Sequence, residues 1–420
     1  MAENFDISSG NRLIITEAGR CVACGLCLPH CPTYQLAIVE TQSPRGRLSL
    51  IMALASGELA ASAGLNDLLQ HCLLCRACEK MCPSSVPFSR IMDRGRVLNS
   101  QMVETGPLMT KIVAGKFIDA CFRHPEWLRI GAKFTRLLKP LARINNKRTI
   151  IDQQGGRSFV DYLPSVQAHK HWKNNYPADN SKGKVSLFLG CVSRCLDAET
   201  LDDTLFVLNN IGYSVSIPPR QACCGALSLH AGREEQALKI MQKNIQAFAT
   251  EEQTPILFTA SGCGASLSEY HLSQTDNGFS NRTHEICHFI DSHWPLDMMI
   301  SSRNMKVLLH TPCSLENGSA DPNAPRRLLN KFANINLLDV NTPYSCCGAA
   351  GTKMLTAVKV SNQLRDPVLN QIREEKPDLV VTSNFGCALH LAEGLRKTGI
   401  DIPVKHPVSL VADILRKQVV

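Results

Sequence analysis

The chain has 420 residues, 44% of them apolar, a formal net charge of +8 and 19 cysteines. That length excludes a lone ferredoxin-sized carrier and predicts two to four domains with sizeable cores. No run approaches the roughly 20 apolar residues of a membrane span, the N-terminal stretch Met1–Asp6 shows no secretory leader, and the modest charge suits an acidic protein, an anionic lipid surface or nucleic acid without deciding among them.

Residues 1–105 form a predicted cluster-binding domain. Cys21–Pro32 reads C-V-A-C-G-L-C-L-P-H-C-P and Cys72–Pro83 reads C-L-L-C-R-A-C-E-K-M-C-P. Both are C-x2-C-x2-C-x3-C-P, the spacing that holds [4Fe-4S] clusters, with the fourth cysteine reaching the other cluster. The expected ligand sets are Cys21, Cys24, Cys27 and Cys82 for one cluster, and Cys72, Cys75, Cys78 and Cys31 for the second. A zinc ribbon needs only two C-x2-C pairs and has no use for a third, evenly spaced cysteine. Between the motifs, Leu48, Ile51, Met52 and Leu54 have helical spacing, so short helices should bracket each motif. Arg45 and Arg47 either offset cluster charge or belong to a solvated turn.

Residues 106–182 are a predicted basic helical connector and linker. Ten Lys and Arg residues between Lys111 and Arg148 alternate with apolar ones such as Phe117, Trp127 and Phe134, which gives one or two amphipathic helices. These either lie on an anionic membrane or a partner, or connect by packing on their own protein. Cys121 has no spaced companions and reads as a packed thiol; Gly155-Gly156, Pro164 and Pro177 mark a loop-rich linker.

The C-terminal half is an internal repeat, with modules expected at 183–300 and 301–420. Lys184–Leu189 and Lys306–Leu309 are strands delivering Cys191 and Cys313. Helices follow, then Cys223-Cys224-Gly225 and Cys346-Cys347-Gly348, longer helices, and strands expected to carry Cys263 and Cys387. Cys313 follows Cys191 by 122 positions, Cys346 follows Cys223 by 123, and Cys387 follows Cys263 by 124. A near-constant offset marks duplicated strand–helix–strand units with pseudo-two-fold symmetry. The fold class is therefore α+β and α/β multidomain: a helical ferredoxin-type domain with two [4Fe-4S] clusters, then two duplicated α/β Cys-Cys-Gly modules.

Adjacent thiols can both face one metal if a glycine turn aims them together. Cys191, Cys223, Cys224 and Cys263, and Cys313, Cys346, Cys347 and Cys387, each suffice for a further iron–sulfur or zinc centre, or line a metal-free interface. Cys195 is an extra thiol without a counterpart. His310 and His230 are weaker candidates for groups supporting the ligands or facing a substrate. No dinucleotide fingerprint or Ser/His/Asp arrangement is present, so electrons should enter from another polypeptide.

The order of motifs resembles the iron–sulfur subunits of glycolate oxidase (glycolate dehydrogenase) over nearly the whole chain. The tokens are Cys31-Pro-Thr-Tyr34, Pro44-Arg-Gly-Arg47, Cys82-Pro-Ser84, Thr259-Ala-Ser-Gly-Cys-Gly-Ala265, Cys346-Cys-Gly348 and Gly386-Cys-Ala-Leu-His-Leu391. The resemblance implies FAD-bearing partner subunits that oxidise glycolate to glyoxylate, with electrons passing through this chain toward a quinone-type acceptor. The metal-type spacing of the cysteines points to a reducing, cytoplasmic setting, with any membrane contact peripheral on the inner face, and no nucleic-acid partner is expected. The plan is shared with iron–sulfur subunits of lactate and glycerol-3-phosphate dehydrogenases. The modules also resemble heterodisulfide reductase, whose pattern ends in C-x2-C; here Cys263-Gly-Ala-Ser266 and Cys387-Ala-Leu-His390 lack the last cysteine.

Overall fold

The computed structural model describes residues 7–102, 171–249, 253–272, 276, 278–295, 301–319 and 321–418. The basic run Lys111–Arg148, Cys121, Gly155-Gly156 and Pro164 lie outside the described residues. The chain divides into two compact units, Met1–Asp119 with Gly225–Ala237, and Ala120–Cys224 with Leu238–Val420.

The first unit is helical among its described residues. Its first helices are α1 (Ile7–Ala18), α2 (Pro32–Ala37), α3 (Pro44–Ser56), α4 (Ala63–Gln70), α5 (Ala77–Lys80) and α6 (Phe88–Met102), and helix Ala226–His230 joins them from later in the chain. Ser43 caps α3 by accepting from Gly46 N, with Pro44 in the first turn, and Ser62 caps α4 by accepting from Leu65 N. The apolar spacing read for α3 is its buried face: Leu48, Ile51 and Leu54 join Leu65 and Leu69 of α4 and Ile91 and Met92 of α6 in one core. Gly95 lets α6 approach closely, since a Cβ there would sit 2.7 Å from Ile51 Cγ1. Residues 225–237 also pack on α6. His230 Nδ1 lies 3.0 Å from Asp93 Oδ1, Ser100 Oγ donates to Gly232 O at 3.2 Å, and Arg94 pairs with Glu234 at 2.5 Å.

The second unit holds both modules. The first sheet has the order β1-β3-β2-β4-β5, from β1 (Asn175–Tyr176), β2 (Gly183–Phe188), β3 (Tyr213–Ser216), β4 (Ile256–Phe258) and β5 (Thr283–Glu285). The second has the order β7-β6-β8-β9, from β6 (Ser301–His310), β7 (Ala333–Asp339), β8 (Leu379–Thr382) and β9 (Val404–Lys405). All pairings are parallel except β1 with β3. The strand β1 arises within the stretch expected to be linker.

Alternation along the strands sorts the core. Val307, Leu309, Leu379 and Val381 enter one cluster with Val185, Leu187 and Leu257, so the two sheets share a core. Leu308 and Val380 point the other way, onto Val368, Leu369, Leu391 and Leu395 of helices Val358–Glu375 and Phe385–Lys397. The last helix, Pro407–Arg416, packs on helix Ala198–Asn210 of the first module, where Arg416 Nη1 donates to buried Asp203 at 2.6 Å. Its counterpart, Ile286–Ser292, packs on Ala324–Leu329 of the second. This reciprocal exchange is the pseudo-two-fold relation expected from the repeat.

Candidate metal centres

The two ferredoxin-type loops share one backbone twist. Ala23 and Gly25 take positive φ, and the equivalent Leu74 and Arg76 do the same, at 52° and 61°. Left-handed residues at every second position curl the intervening thiols toward a common point.

Cys31 does not stay with its own motif. It lines one cavity with Cys72, Cys75 and Cys78, together with Thr33, Arg47 and Phe88. Cys31, Cys72 and Cys78 are buried, and Cys75 is half-buried. Thr33 Oγ1 lies 3.4 Å from Cys31 Sγ, and Leu74 N donates to Cys72 Sγ at 3.4 Å. Burial pushes the Cys78 thiol well up, and the neighbouring Cys75, Cys72 and Cys31 add to this. Thiolates crowded together without a cation repel one another. A bound cationic iron–sulfur core reverses that penalty, so the donor set fits such a group. Arg47, fully buried, donates through Nη2 to Thr33 Oγ1 at 3.1 Å and Gln42 Oε1 at 2.7 Å.

The first motif is more open. Cys24 is exposed, while Cys21, Cys27 and Cys82 are half-buried. Burial raises the Cys27 thiol, with added repulsion from Cys21 and Cys24. Arg45 ties this loop down by donating to Ala23 O at 3.0 Å while pairing with Glu40 at 2.7 Å. Arg20 Nη2 donates to Ser84 O at 3.1 Å, which brings the Cys82 end of the second motif to the start of the first.

The modules gather their cysteines as two sets. Cys191 hydrogen-bonds Cys223, and Cys224 hydrogen-bonds both Cys223 and Cys263. Cys313 hydrogen-bonds Cys346, and Cys347 Sγ donates to Cys387 Sγ at 2.6 Å. The glycine after each pair, Gly225 at φ 86° and Gly348 at φ 74°, makes the turn that aims both thiols inward. Cys263, Cys313 and Cys387 sit at the starts of helices Ser261–Leu267, Cys313–Gly318 and Phe385–Lys397, beyond the strands expected to carry them. Cys195 lies on helix Ser193–Leu196. None of the described cysteines forms a disulfide.

The two histidines separate. His230 pairs with Asp93 in the first unit. His310 is buried; a ring nitrogen lies within 4.8 Å of the Cys347 and Cys387 sulfurs, and burial holds the imidazole neutral, with its pKa down to about 4. Sequence reasoning missed Arg96, which is buried and donates to Leu69 O and Cys72 O. It also missed Glu285 and His406, which meet within 4.8 Å beside Cys287.

Residues 17–86 match the 4Fe-4S dicluster domain family, and residues 185–268 and 307–392 match the cysteine-rich domain family. The glycolate oxidase iron–sulfur subunit of Escherichia coli (strain K12) is 30% identical over 408 residues, covering 95% of this chain and 94% of the relative. The chain belongs to the glycolate oxidase iron–sulfur subunit family. The probable glycolate oxidase iron–sulfur subunit of Bacillus subtilis (strain 168) is 29% identical over 93% of this chain and 91% of its own length. Lactate utilization protein A of Oceanobacillus iheyensis is 26% identical over 53% of this chain and 94% of its own length. As a member of this family, the chain is an iron–sulfur electron-transfer protein. No helix among the described residues is long and apolar enough to cross a membrane.

Proposed function

We propose that this chain is the electron-transfer subunit of a multi-subunit, flavin-dependent glycolate dehydrogenase, accepting electrons from FAD on a partner subunit and passing them toward a quinone-type acceptor. The observation that carries this reading is the crossing of Cys31 to Cys72, Cys75 and Cys78 in one cavity. It supports assigning Cys72, Cys75, Cys78 and Cys31 to one station, with Cys21, Cys24, Cys27 and Cys82 proposed as the ligands of the other. A [4Fe-4S] cluster supplies one-electron chemistry, and two of them match a two-electron flavin donor.

The chain's own residues hold, bury and bias these stations. The first set is more open, with exposed apolar Val22 and Leu26 inside its loop and Met81 beside Cys82, which suits docking of a flavoprotein. The division we propose is a cluster domain at 1–105, a connector at 106–182 and modules at 183–300 and 301–420. The module cysteine sets would hold a further iron–sulfur or zinc centre. We place the chain in the cytoplasm, reaching the inner membrane face where its acceptor is a membrane quinone.

The test is anaerobic addition of substrate to the chain co-purified with its flavoprotein partners, followed by EPR. Glycolate should reduce both stations, with glyoxylate formed in proportion. Reduction by lactate or glycerol 3-phosphate but not by glycolate would transfer the chain to those dehydrogenases. Reduction by none of the three, with iron present, would sink the reading.

A further inference from the structure

The two modules share one plan but differ at one cross-strand pair beside the cysteines. In the first sheet Phe188 on β2 sits opposite Phe258 on β4. In the second, the same register sets His310 on β6 opposite Thr382 on β8. Phe188 and His310 each precede the strand-end cysteine by three residues, and Phe258 and Thr382 precede Cys263 and Cys387 by five. In the first copy the aromatic fills its space: a Cβ on Gly264 would sit 2.1 Å from the Phe258 ring.

In the second copy that place holds an imidazole with unmet donor capacity. His310 is 1% exposed. Its Nδ1 lies 2.9 Å from Thr382 Oγ1 and the Ser345 backbone also favours the protonated ring, while Nε2 is buried and meets no partner in hydrogen-bond geometry among the described residues. A buried polar nitrogen without a partner is destabilising unless something at the site uses it. Thr382 accepting the Nδ1 proton would leave the Nε2 lone pair available, as in metal sites where a second group fixes the tautomer of a ligating histidine. The His310 ring nitrogen and the sulfurs of Cys347 and Cys387 all lie within 4.8 Å of one another. That compactness suits a single tetrahedral ion, whose ligands are separated by about 3.5 Å given bonds of about 2.0–2.3 Å. Thiolates on different corners of a cubane are farther apart.

We propose that the second module carries a mixed imidazole–thiolate site for a borderline-soft divalent cation of the Zn²⁺ class. His310, Cys347 and Cys387 are ligands, and Cys313 or Cys346 completes the set. The first module, with phenylalanines in the equivalent places, offers thiolates alone. The inference rests on the reading that the modules bind metal and makes their two sites chemically different.

The experiment uses the full chain purified anaerobically, as wild type, His310→Phe and His310→Cys. Zinc per chain and zinc-edge X-ray absorption are measured, with EPR of the ferredoxin-type clusters as the folding control. The expected wild-type result includes a zinc shell with one nitrogen and three sulfur donors. His310→Phe should lose that zinc equivalent, and His310→Cys should regain it with an all-sulfur shell, with the EPR signals unchanged throughout. Zinc with only sulfur donors in the wild type, or a nitrogen donor that persists in His310→Phe, would overturn the histidine assignment while leaving metal in the modules. An iron cluster in place of zinc would overturn the proposed ion. No metal beyond the ferredoxin-type clusters would overturn the module reading and this inference together, leaving the electron-transfer reading standing.

Discussion

Arg96 donates through Nη2 to the carbonyl oxygen of Cys72 at 3.0 Å, and the same nitrogen reaches Leu69 O at 2.8 Å. Arg96 is 2% exposed, and the fully buried Arg47 is close enough to disfavour its charge. Two buried guanidiniums therefore serve one set of thiols. Beside Cys21, Cys24 and Cys27 the nearest counterpart is Arg45, which is solvent-screened and already paired with Glu40. Fixed positive charge favours the more negative, reduced state of a thiolate-bound cluster. The station at Cys31, Cys72, Cys75 and Cys78 should thus have the higher reduction potential.

Arg47→Gln should lower the potential of that station. A unit charge acting over about 8 Å at an effective dielectric of about 20 is worth about 2 kcal/mol, or roughly 90 mV. Arg47→Lys should retain most of the shift. Potentiometric EPR titration of the three proteins is the check; equal potentials for the Gln and Lys variants would remove the electrostatic account. Arg96→Gln has a second effect, because Leu69 O and Cys72 O lose a buried donor. It should cost about 1–3 kcal/mol of stability as well.

Cys31→Ser and Cys82→Ser test the crossing directly. If Cys31 serves the second motif, its loss removes the station whose other ligands are Cys72, Cys75 and Cys78, and spares the one at Cys21. Cys82→Ser should do the reverse. Each variant should lose about four irons per chain. Analysed by iron content and EPR beside Cys24→Ser and Cys75→Ser, Cys31→Ser should lose the signal that Cys75→Ser loses, and Cys82→Ser the one that Cys24→Ser loses; the opposite matching would mean that each motif keeps its own fourth cysteine.

The 4Fe-4S dicluster character of residues 17–86 was legible because its chemistry is local: three thiols at a fixed spacing can turn round one object, and the proline after the fourth marks its departure. The module cysteines were legible for another reason, that duplication repeats the same offsets. The His310–Thr382 pair was not, because the register of two parallel strands joins residues 72 positions apart. Nor was the place of residues 225–237 on α6. It depends on the meeting of Asp93 with His230 and of Arg94 with Glu234, and neither pair has a sequence spacing to betray it. The strand-end cysteines were placed one element too early. The glycines and small residues around Cys263 and Cys387 suit the tight first turn of a helix, as Asn384 shows by capping its own helix through Gly386 N.

Gly348 should tolerate no side chain. It sits at φ +74°, and a Cβ would come 2.1 Å from Ser361 O, a backbone atom that cannot swing aside. Gly348→Ala should cost about 3 kcal/mol or more, combining left-handed strain with the overlap. Since this turn aims Cys346 and Cys347, the variant should also lose metal from the second module at temperatures where the fold survives. Thermal unfolding and metal content decide it. By contrast, Gly399→Ala, at φ +72° with nothing within 4 Å of the added carbon, should show only the smaller strain cost of about 1 kcal/mol.

Glu285 and His406 are the capping residues of the two exchanged helices, related by the pseudo-two-fold axis and within 4.8 Å of each other. Glu285 Oε2 accepts from His288 N at 2.9 Å, and the buried carboxyl also meets the Cys287 thiol. Burial raises its carboxyl to about 7, and holds His406 down to about 4. His406 is locked neutral by geometry too, since Nδ1 accepts from Val408 N while Nε2–H donates to Thr259 O. The two groups pull stability in opposite directions. Between about 4.3 and 7 the folded Glu285 holds a proton that the unfolded chain has lost, so its contribution falls as pH rises. Between about 4 and 6.5 the unfolded His406 holds a proton that the folded one lacks, so its contribution rises with pH. Glu285→Gln keeps the cap and removes only the first effect. The variant should match wild type near pH 4 and exceed it by about 3 kcal/mol at pH 8, where a buried carboxylate no longer has to ionise. Anaerobic denaturant unfolding at the two pH values measures the difference; a gap that does not change with pH would mean that Glu285 is ionised in the fold at both.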